Sequence, residues 1–312
     1  MDSFLEHVKN GLSAPIKKLS SRYFYDDKGS KIYQKIMASE EYYLPELEME
    51  IILNQSEDIA EEIAENNSRI EVIELGAGDG SKTAHILKAF DHHFDQLSFT
   101  ALDISSSILE ENRANILKAV PELKHQAKPG DYFKTFEELE PSSHSRLVLF
   151  LGANIGNYGL KEAGEFFQFI NKGMSEDDYF LVAFDMVKDP ETILSAYNDK
   201  EGHTAAFNLN LLERINRELG GNFDLSQFKH HPFYNPLTGI CSSQLISLKD
   251  QLLCLEDGSS FHFKAFEPIH TEISKKYFER DIENLAKESG MEIIESYSSA
   301  NAGYSFVLFA SK

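Results

Sequence analysis

Residues 70–90 read IEVIELGAGDGSKTAHILKAF, and the fold turns on this stretch. An apolar run with a β-branched bias breaks at Gly76-Ala77-Gly78-Asp79-Gly80. From Ser81-Lys82-Thr83 onward, Ala84, Ile86, Leu87 and Phe90 share one side of a helix. A strand, a tight glycine turn and a helix N-terminus are the parts from which open α/β folds build a nucleotide-shaped site.

Working outward, the same rhythm recurs. Leu47 to Ala64 reads as a helix, with Ile51, Ile52, Ile59 and Ile63 at near-helical spacing. A second strand, LSFTALDIS, ends at Asp103 and is followed by a helix through SSILEENRANILKAV. HQAKPGDYF reads as a third strand, with Gly130-Asp131-Tyr132 at its end. SRLVLFLGANIGN is a fourth, apolar up to Leu151 as a strand buried on both faces should be. AGEFFQFINKGM is its helix and DYFLVAFDMV a fifth strand. Strand and helix alternate across residues 57–187, which predicts an α/β fold with a Rossmann-like, mostly parallel sheet.

Residues 1–45 read as aromatic-rich and irregular. Residues 188–276 hold helical text, TAAFNLNLLERINRELG, then alternating runs with a turn at Glu256-Asp257-Gly258, which suggests antiparallel strands. After them come a helix capped by Gly290 and two strands expected to rejoin the sheet. The expected organisation is therefore a core of 47–187 and 277–312, with a second α+β lobe of 1–46 and 188–276.

Composition excludes several classes. The 312 residues carry 30 Lys and Arg against 51 Asp and Glu, a formal net charge of −21, so a nucleic-acid partner is not expected. The acidic residues, as in EMEIILNQSEDIAEEIAEN, read as mostly solvated helix faces. No apolar run approaches the roughly 20 residues of a membrane span. Met1-Asp2-Ser3-Phe4-Leu5-Glu6 has no basic segment followed by an apolar core, so no secretion signal is expected. Cys241 and Cys254 lack metal-ligand spacing, which fits reduced, inert thiols in a cytoplasmic chain with no metal site.

The glycine loop departs from the dinucleotide pattern. Gly76 and Gly78 fit G-x-G-x-x-G, but Ser81 holds the third glycine position, and Glu74 puts a carboxylate on the approach. A pyrophosphate at a helix start would be repelled there. S-adenosylmethionine carries no phosphate but has a sulfonium and an amino group, for which a carboxylate is useful. Asp103 lies about 25 residues after the loop, near the roughly 20 at which an acidic ribose-binding group is expected. Asp131 can accept from an adenine amino group while Tyr132 packs on the ring. Each residue alone has a bland alternative: Asp103 a helix cap, Asp131 a turn. Together they fall at the ends of three successive strands, and S-adenosylmethionine is the expected cofactor.

Five stretches in this order, RYFYDDKGSKIYQKIMASEEYYLPELE, VIELGAGDGSKT, FLGANIGN, AYNDKEGHTAAFNLNLLERINREL and HTEIS, closely resemble the histidine-specific Nα-methyltransferases. That family converts L-histidine to the trimethylated betaine hercynine at the start of ergothioneine biosynthesis. The resemblance runs nearly end to end, and it implies a methyltransferase core with a substrate lobe built from the N-terminal segment and the late insertion.

By resemblance, Asn157 binds the amine or carboxylate end of the amino acid. Tyr42 and Tyr197 are carboxylate donors, Tyr25 orients the amine, and Lys82 lies near the methionine carboxylate of the cofactor. Glu272 and Ser274 alternate at period two, so on a strand both point to one face, where they can bond the two imidazole nitrogens. Ser242, in CSSQ, stands where the family has a bulkier apolar residue near the imidazole. The expected protein is a monomeric enzyme acting on a small amino acid, with no membrane partner. Rival readings are Nα-methylation of another aromatic amino acid such as a tryptophan derivative, a non-catalytic S-adenosylmethionine-binding protein, and a nicotinamide oxidoreductase, which Ser81 and Glu74 disfavour.

Overall fold

The computed structural model describes residues 3–140, 142 and 144–312, so Met1 and Asp2 of the N-terminal stretch read above lie outside it. The chain divides into two compact units, Met1–Tyr43 with Lys188–Lys275, and Leu44–Val187 with Lys276–Lys312. Among the described residues, no helix is long and apolar enough to cross a membrane.

The N-terminal segment, expected to be irregular, contains two helices, α1 (Phe4–Ser13) and α2 (Asp27–Met37). Both carry explicit start signals. Ser3 and Glu6 close a capping box on α1, and Asp26 accepts the Gly29 N–H at 2.7 Å on α2. Each buries only two or three residues, so the apolar periodicity that reveals longer helices is too sparse here to show.

In the second unit, α3 (Leu44–Ala64) leads into β1 (Arg69–Leu75), α4 (Thr83–Phe90), β2 (Gln96–Asp103), α5 (Ser106–Ala119) and β3 (Lys124–Pro129). Next come α6 (Tyr132–Glu137), β4 (Ser145–Phe150), α7 (Leu160–Gly173) and β5 (Tyr179–Asp185). The third strand is shorter than expected: it stops at Pro129, and Asp131 accepts the Phe133 N–H at 3.0 Å to start α6.

In the first unit, α8 (Pro190–Ala196) and α9 (His203–Leu219) precede β6 (Phe228–Asn235), β7 (Ile240–Ser247), β8 (Gln251–Cys254), β9 (Ser260–Phe263) and β10 (Pro268–Lys275). The order β10-β7-β6 is antiparallel throughout, and β8 and β9 form a hairpin whose turn contains Gly258 at φ 85°. The second unit ends with α10 (Glu279–Ser289), capped by the left-handed Gly290, and with β11 (Met291–Ser298) and β12 (Tyr304–Ser311).

The seven-stranded sheet has the order β11-β12-β5-β4-β1-β2-β3. Its five central strands are parallel, while β12 pairs antiparallel with β5, and β11 with β12. Strand order reverses between β1 and β4, and ligands of such sheets bind beyond the carboxyl ends at this switch point. The glycine loop follows β1 and the Asn157 loop follows β4, so this topology puts both at that crevice.

One β-bulge matters for the other unit. Between His270 and Glu272 the β10–β7 register shifts, leaving Thr271 as the extra residue. Thr271 is buried and donates to Asn208 Oδ1 of α9 at 2.6 Å. Beyond the bulge, Glu272 pairs with Ser243 and Ser274 with Cys241, while Ser242 pairs with Ile273. Paired residues share a face, so Ser242 points away from Glu272 and Ser274. The residues flanking that pair are Ser243 and Cys241, which corrects the expectation for Ser242.

Candidate active site

The cofactor-side residues gather at the carboxyl edge of the parallel sheet. Gly76, Gly78 and Gly80 adopt φ values of 72°, 52° and 72°, which glycine accepts without strain. A Cβ on Gly80 would lie 2.8 Å from the Asn112 amide, so this third glycine serves packing of the loop onto α5. Above Gly76 and Gly78 nothing lies within 4 Å of a Cβ position, so the loop is open to approach.

Gly76 and Ala77 donate their N–H groups to Leu102 O, Gly78 to Asp103 Oδ2, Gly80 to Ala77 O and Ser81 to Asp79 Oδ1. Five amides of the loop are thus satisfied by protein oxygens. Several carboxylates stand near them. Asp103 accepts from Gly78 at 3.1 Å and from the Ser105 N–H at 3.0 Å, and it stays half-buried. Two N–H bonds do not exhaust a carboxylate's lone pairs, so ribose hydroxyls can still be accepted. Ile104, the next residue, is 75% exposed and offers an apolar surface for an adenine ring.

Glu74 is buried and accepts the Thr83 hydroxyl at 2.7 Å. Burial raises its pKa to about 8. The Thr83 bond and Lys82 oppose the rise, while Glu48 and Asp103 add to it. A carboxyl held mostly neutral near pH 7 beside a glycine loop suits a cationic ligand, which would restore its charge. Lys82 sits at the N-terminal position of α4 and pairs with Glu48 Oε2. Glu48, which the sequence placed on a solvated face, is 1% exposed.

Asp131 is committed to its helix cap but lies beside Asp103, whose carbonyl accepts the Gly130 N–H at 2.9 Å. Tyr132 shares a 2.7 Å hydroxyl bond with Tyr158, and its ring packs among Phe133, Phe150 and Phe166. Burial holds this phenol well above its usual pKa. After β4, Gly152 and Ala153 form a turn with φ values of 72° and 51°, and a 3₁₀ turn follows from Asn154 to Asn157. Asn154 closes the turn on Leu151 O at 2.9 Å, whereas Asn157 is exposed and its carboxamide makes no hydrogen bond to the described residues.

The other unit assembles the remaining expected residues. The Tyr197 hydroxyl donates to Ser274 Oγ at 2.6 Å. Tyr42 meets Tyr197 edge to face at 6.5 Å and shares a hydroxyl bond with Tyr33. Tyr25 packs edge-on to Tyr33 and to Phe207, each at 5.4 Å. Desolvation first, then Tyr33 and Glu272, hold the Tyr25 phenol well above its ordinary pKa. Half of Tyr25 is nevertheless exposed, and on either consideration it stays a neutral phenol at physiological pH. Tyr42 is neutral for the same reason, its burial. Tyr33 and Phe207, which the sequence did not single out, thus hold the tyrosine group together. Aromatic density in the N-terminal segment was the only signal for Tyr33, and Phe207 on α9 carried none.

A glycine loop at the switch point of a parallel sheet, with Asp103 and Glu74 beside it, is the arrangement of an S-adenosylmethionine-dependent methyltransferase. The residues present fit that cofactor in kind: carboxylates could take its ammonium and ribose, and Lys82 could take its carboxylate. The chain belongs to the S-adenosylmethionine-dependent, histidine-specific methyltransferase family, whose pattern matches residues 4–311. It is 32% identical to the histidine N-alpha-methyltransferase of Mycobacterium tuberculosis, over 73% of this chain and 70% of that one. It is 29% identical to ergothioneine biosynthesis protein 1 of Schizosaccharomyces pombe, over 92% of this chain and 38% of that protein. It is 26% identical to the N-methyltransferase fsqC of Aspergillus fumigatus, over 97% of this chain and 82% of that one.

Proposed function

We propose that this protein transfers methyl groups from S-adenosylmethionine to the α-amine of L-histidine, up to the trimethylated betaine hercynine, as a monomer in the cytoplasm. The observation that carries the substrate assignment is the grouping of Glu272 and Ser274 on one face of β10, with Tyr197, Tyr42 and Tyr25 around them. A carboxylate and a hydroxyl supply partners for both imidazole nitrogens, whereas an indole could pair with one of them and a phenyl ring with neither. The phenols of Tyr42 and Tyr197 donate to the substrate carboxylate when it displaces their bonds to Tyr33 and Ser274.

The bound cofactor supplies an electrophilic methyl on a sulfonium. The protein then has to present a neutral amine and exclude water, so positioning dominates over acid–base work. Tyr25, held as a neutral phenol, orients the amine and does not serve as a phenolate base. Asn157, with an unused carboxamide, holds the amine or carboxylate end. Lys82, Asp103, Asp131 and Tyr132 hold the cofactor at the Gly76–Gly78 loop.

Purified protein incubated with methyl-labelled S-adenosylmethionine and each of the twenty amino acids should label histidine far above the rest. Mass spectrometry of the product should show one, two or three added methyl groups. Label appearing on tryptophan or phenylalanine in preference to histidine would reassign the substrate, and no transfer to any amino acid would leave a binding protein.

A further inference from the structure

Glu48 does more than fill a helix. One of its oxygens pairs with Lys82, at the mouth of the glycine-loop helix. The other accepts the Gly152 N–H at 2.5 Å and the hydroxyl of the fully buried Tyr304 at 3.0 Å. One carboxylate thus ties the loop after β1, the loop after β4 and the start of β12. The Gly152–Ala153 turn needs such a tie, because Ala153 is a non-glycine residue in the left-handed region, a conformation that persists only where its surroundings enforce it. Lys82 needs one too: a lysine on a flexible four-carbon stem loses rotamer freedom when it fixes a ligand, unless a partner has already ordered it.

We propose that Glu48 is a positioning residue of the cofactor site, holding the Lys82 ammonium in place at the glycine loop while bracing the turn that leads to Asn157. This rests on the reading of Lys82 as the partner of the cofactor's carboxylate. An ammonium carries three donors and 32% of the Lys82 side chain is exposed, so pairing with Glu48 leaves it reachable.

Glu48→Gln separates the two arms. Its amide oxygen can still accept from Gly152 and Tyr304, but its NH₂ group faces the Lys82 ammonium, donor against donor. Binding of S-adenosylhomocysteine, measured by calorimetry, should weaken at least tenfold in Glu48→Gln, with the thermal melt close to wild type. Lys82→Met should lose affinity similarly, and the double variant should bind no worse than Lys82→Met alone, because both changes break one unit. If Glu48→Gln does not fold, Glu48→Asp, which keeps the charge but shortens the reach, carries the same expectation. Weakened binding in Lys82→Met with wild-type binding in Glu48→Gln would overturn the proposal. Losses that add in the double variant would overturn it as well. Wild-type binding in Lys82→Met would instead remove the underlying reading of Lys82.

Discussion

Asp103 combines two roles that substitution can separate. Its carboxylate accepts the Gly78 and Ser105 N–H groups, so it ties the glycine loop to the start of α5 before any ligand arrives. Hydrogen bonds to a charged group are worth about 1.5–3 kcal/mol each, and less where water can replace them, as at this half-exposed site. Asp103→Ala should therefore lower apo stability by about 2–4 kcal/mol. Asp103→Asn keeps one acceptor and should lose about half of that. The ribose role predicts a separate loss: trading charge-assisted bonds for neutral ones costs about 1.5–3 kcal/mol, or roughly a ten- to hundredfold weaker S-adenosylhomocysteine. Calorimetric titration of Asp103→Asn measures the affinity, and denaturant melts measure the stability. A cofactor analogue lacking one ribose hydroxyl separates direct contact from loop distortion. It should bind wild type poorly, yet lose little further affinity on Asp103→Asn. A variant that is less stable but binds S-adenosylhomocysteine as wild type does, or an analogue penalty that is unchanged in the variant, would refute the ribose assignment.

Glu74 should couple stability and cofactor binding to pH. Its pKa rises from 4.5 when unfolded to about 8 when folded, so between those values the native state holds a proton that the unfolded state has lost. Stability should fall as pH rises through that window and level off above it, and Glu74→Gln should remove the slope. A cationic cofactor should draw off this proton, seen as buffer-dependent binding heat near neutral pH, and an identical heat in all buffers would contradict it. Glu272→Ala should cut kcat/KM for histidine at least about a hundredfold, roughly 2.7 kcal/mol, and narrow the margin over tryptophan and phenylalanine. A variant preferring histidine by the original margin would move the imidazole site elsewhere. Lys276 pairs with Asp185 at 2.6 Å, both at most 1% exposed, so Lys276→Met should remove the ion pair of a buried carboxylate and cost about 3–5 kcal/mol in denaturant melts. Adding Asp185→Asn should recover much of that loss, and failure to recover would show that packing of the lysine stem dominates.

What the sequence determined by itself is local or periodic. The strand, glycine turn and helix of 70–90 announce themselves because each obeys a short-range rule, and Asp103 falls at a strand end because the next helix begins there. The apolar runs of β4 and β5 mark strands covered on both faces, which is why the parallel sheet was legible. The departure of Ser81 and Glu74 from the dinucleotide pattern separated one cofactor from another before any coordinates.

Tertiary structure alone decided the rest. Glu48 looks like one more acid on a charged helix, and only the arrival of Lys82, Gly152 and Tyr304 from three distant segments makes its burial tolerable. Glu272 faces Ser243, with Ser242 turned away, because a bulge at Thr271 resets the alternation. That bulge is held by Asn208, more than sixty residues earlier in the chain. In a strand, period two says which residues travel together. Which face they take depends on the register, and the register is set by partners that no local rule can reach.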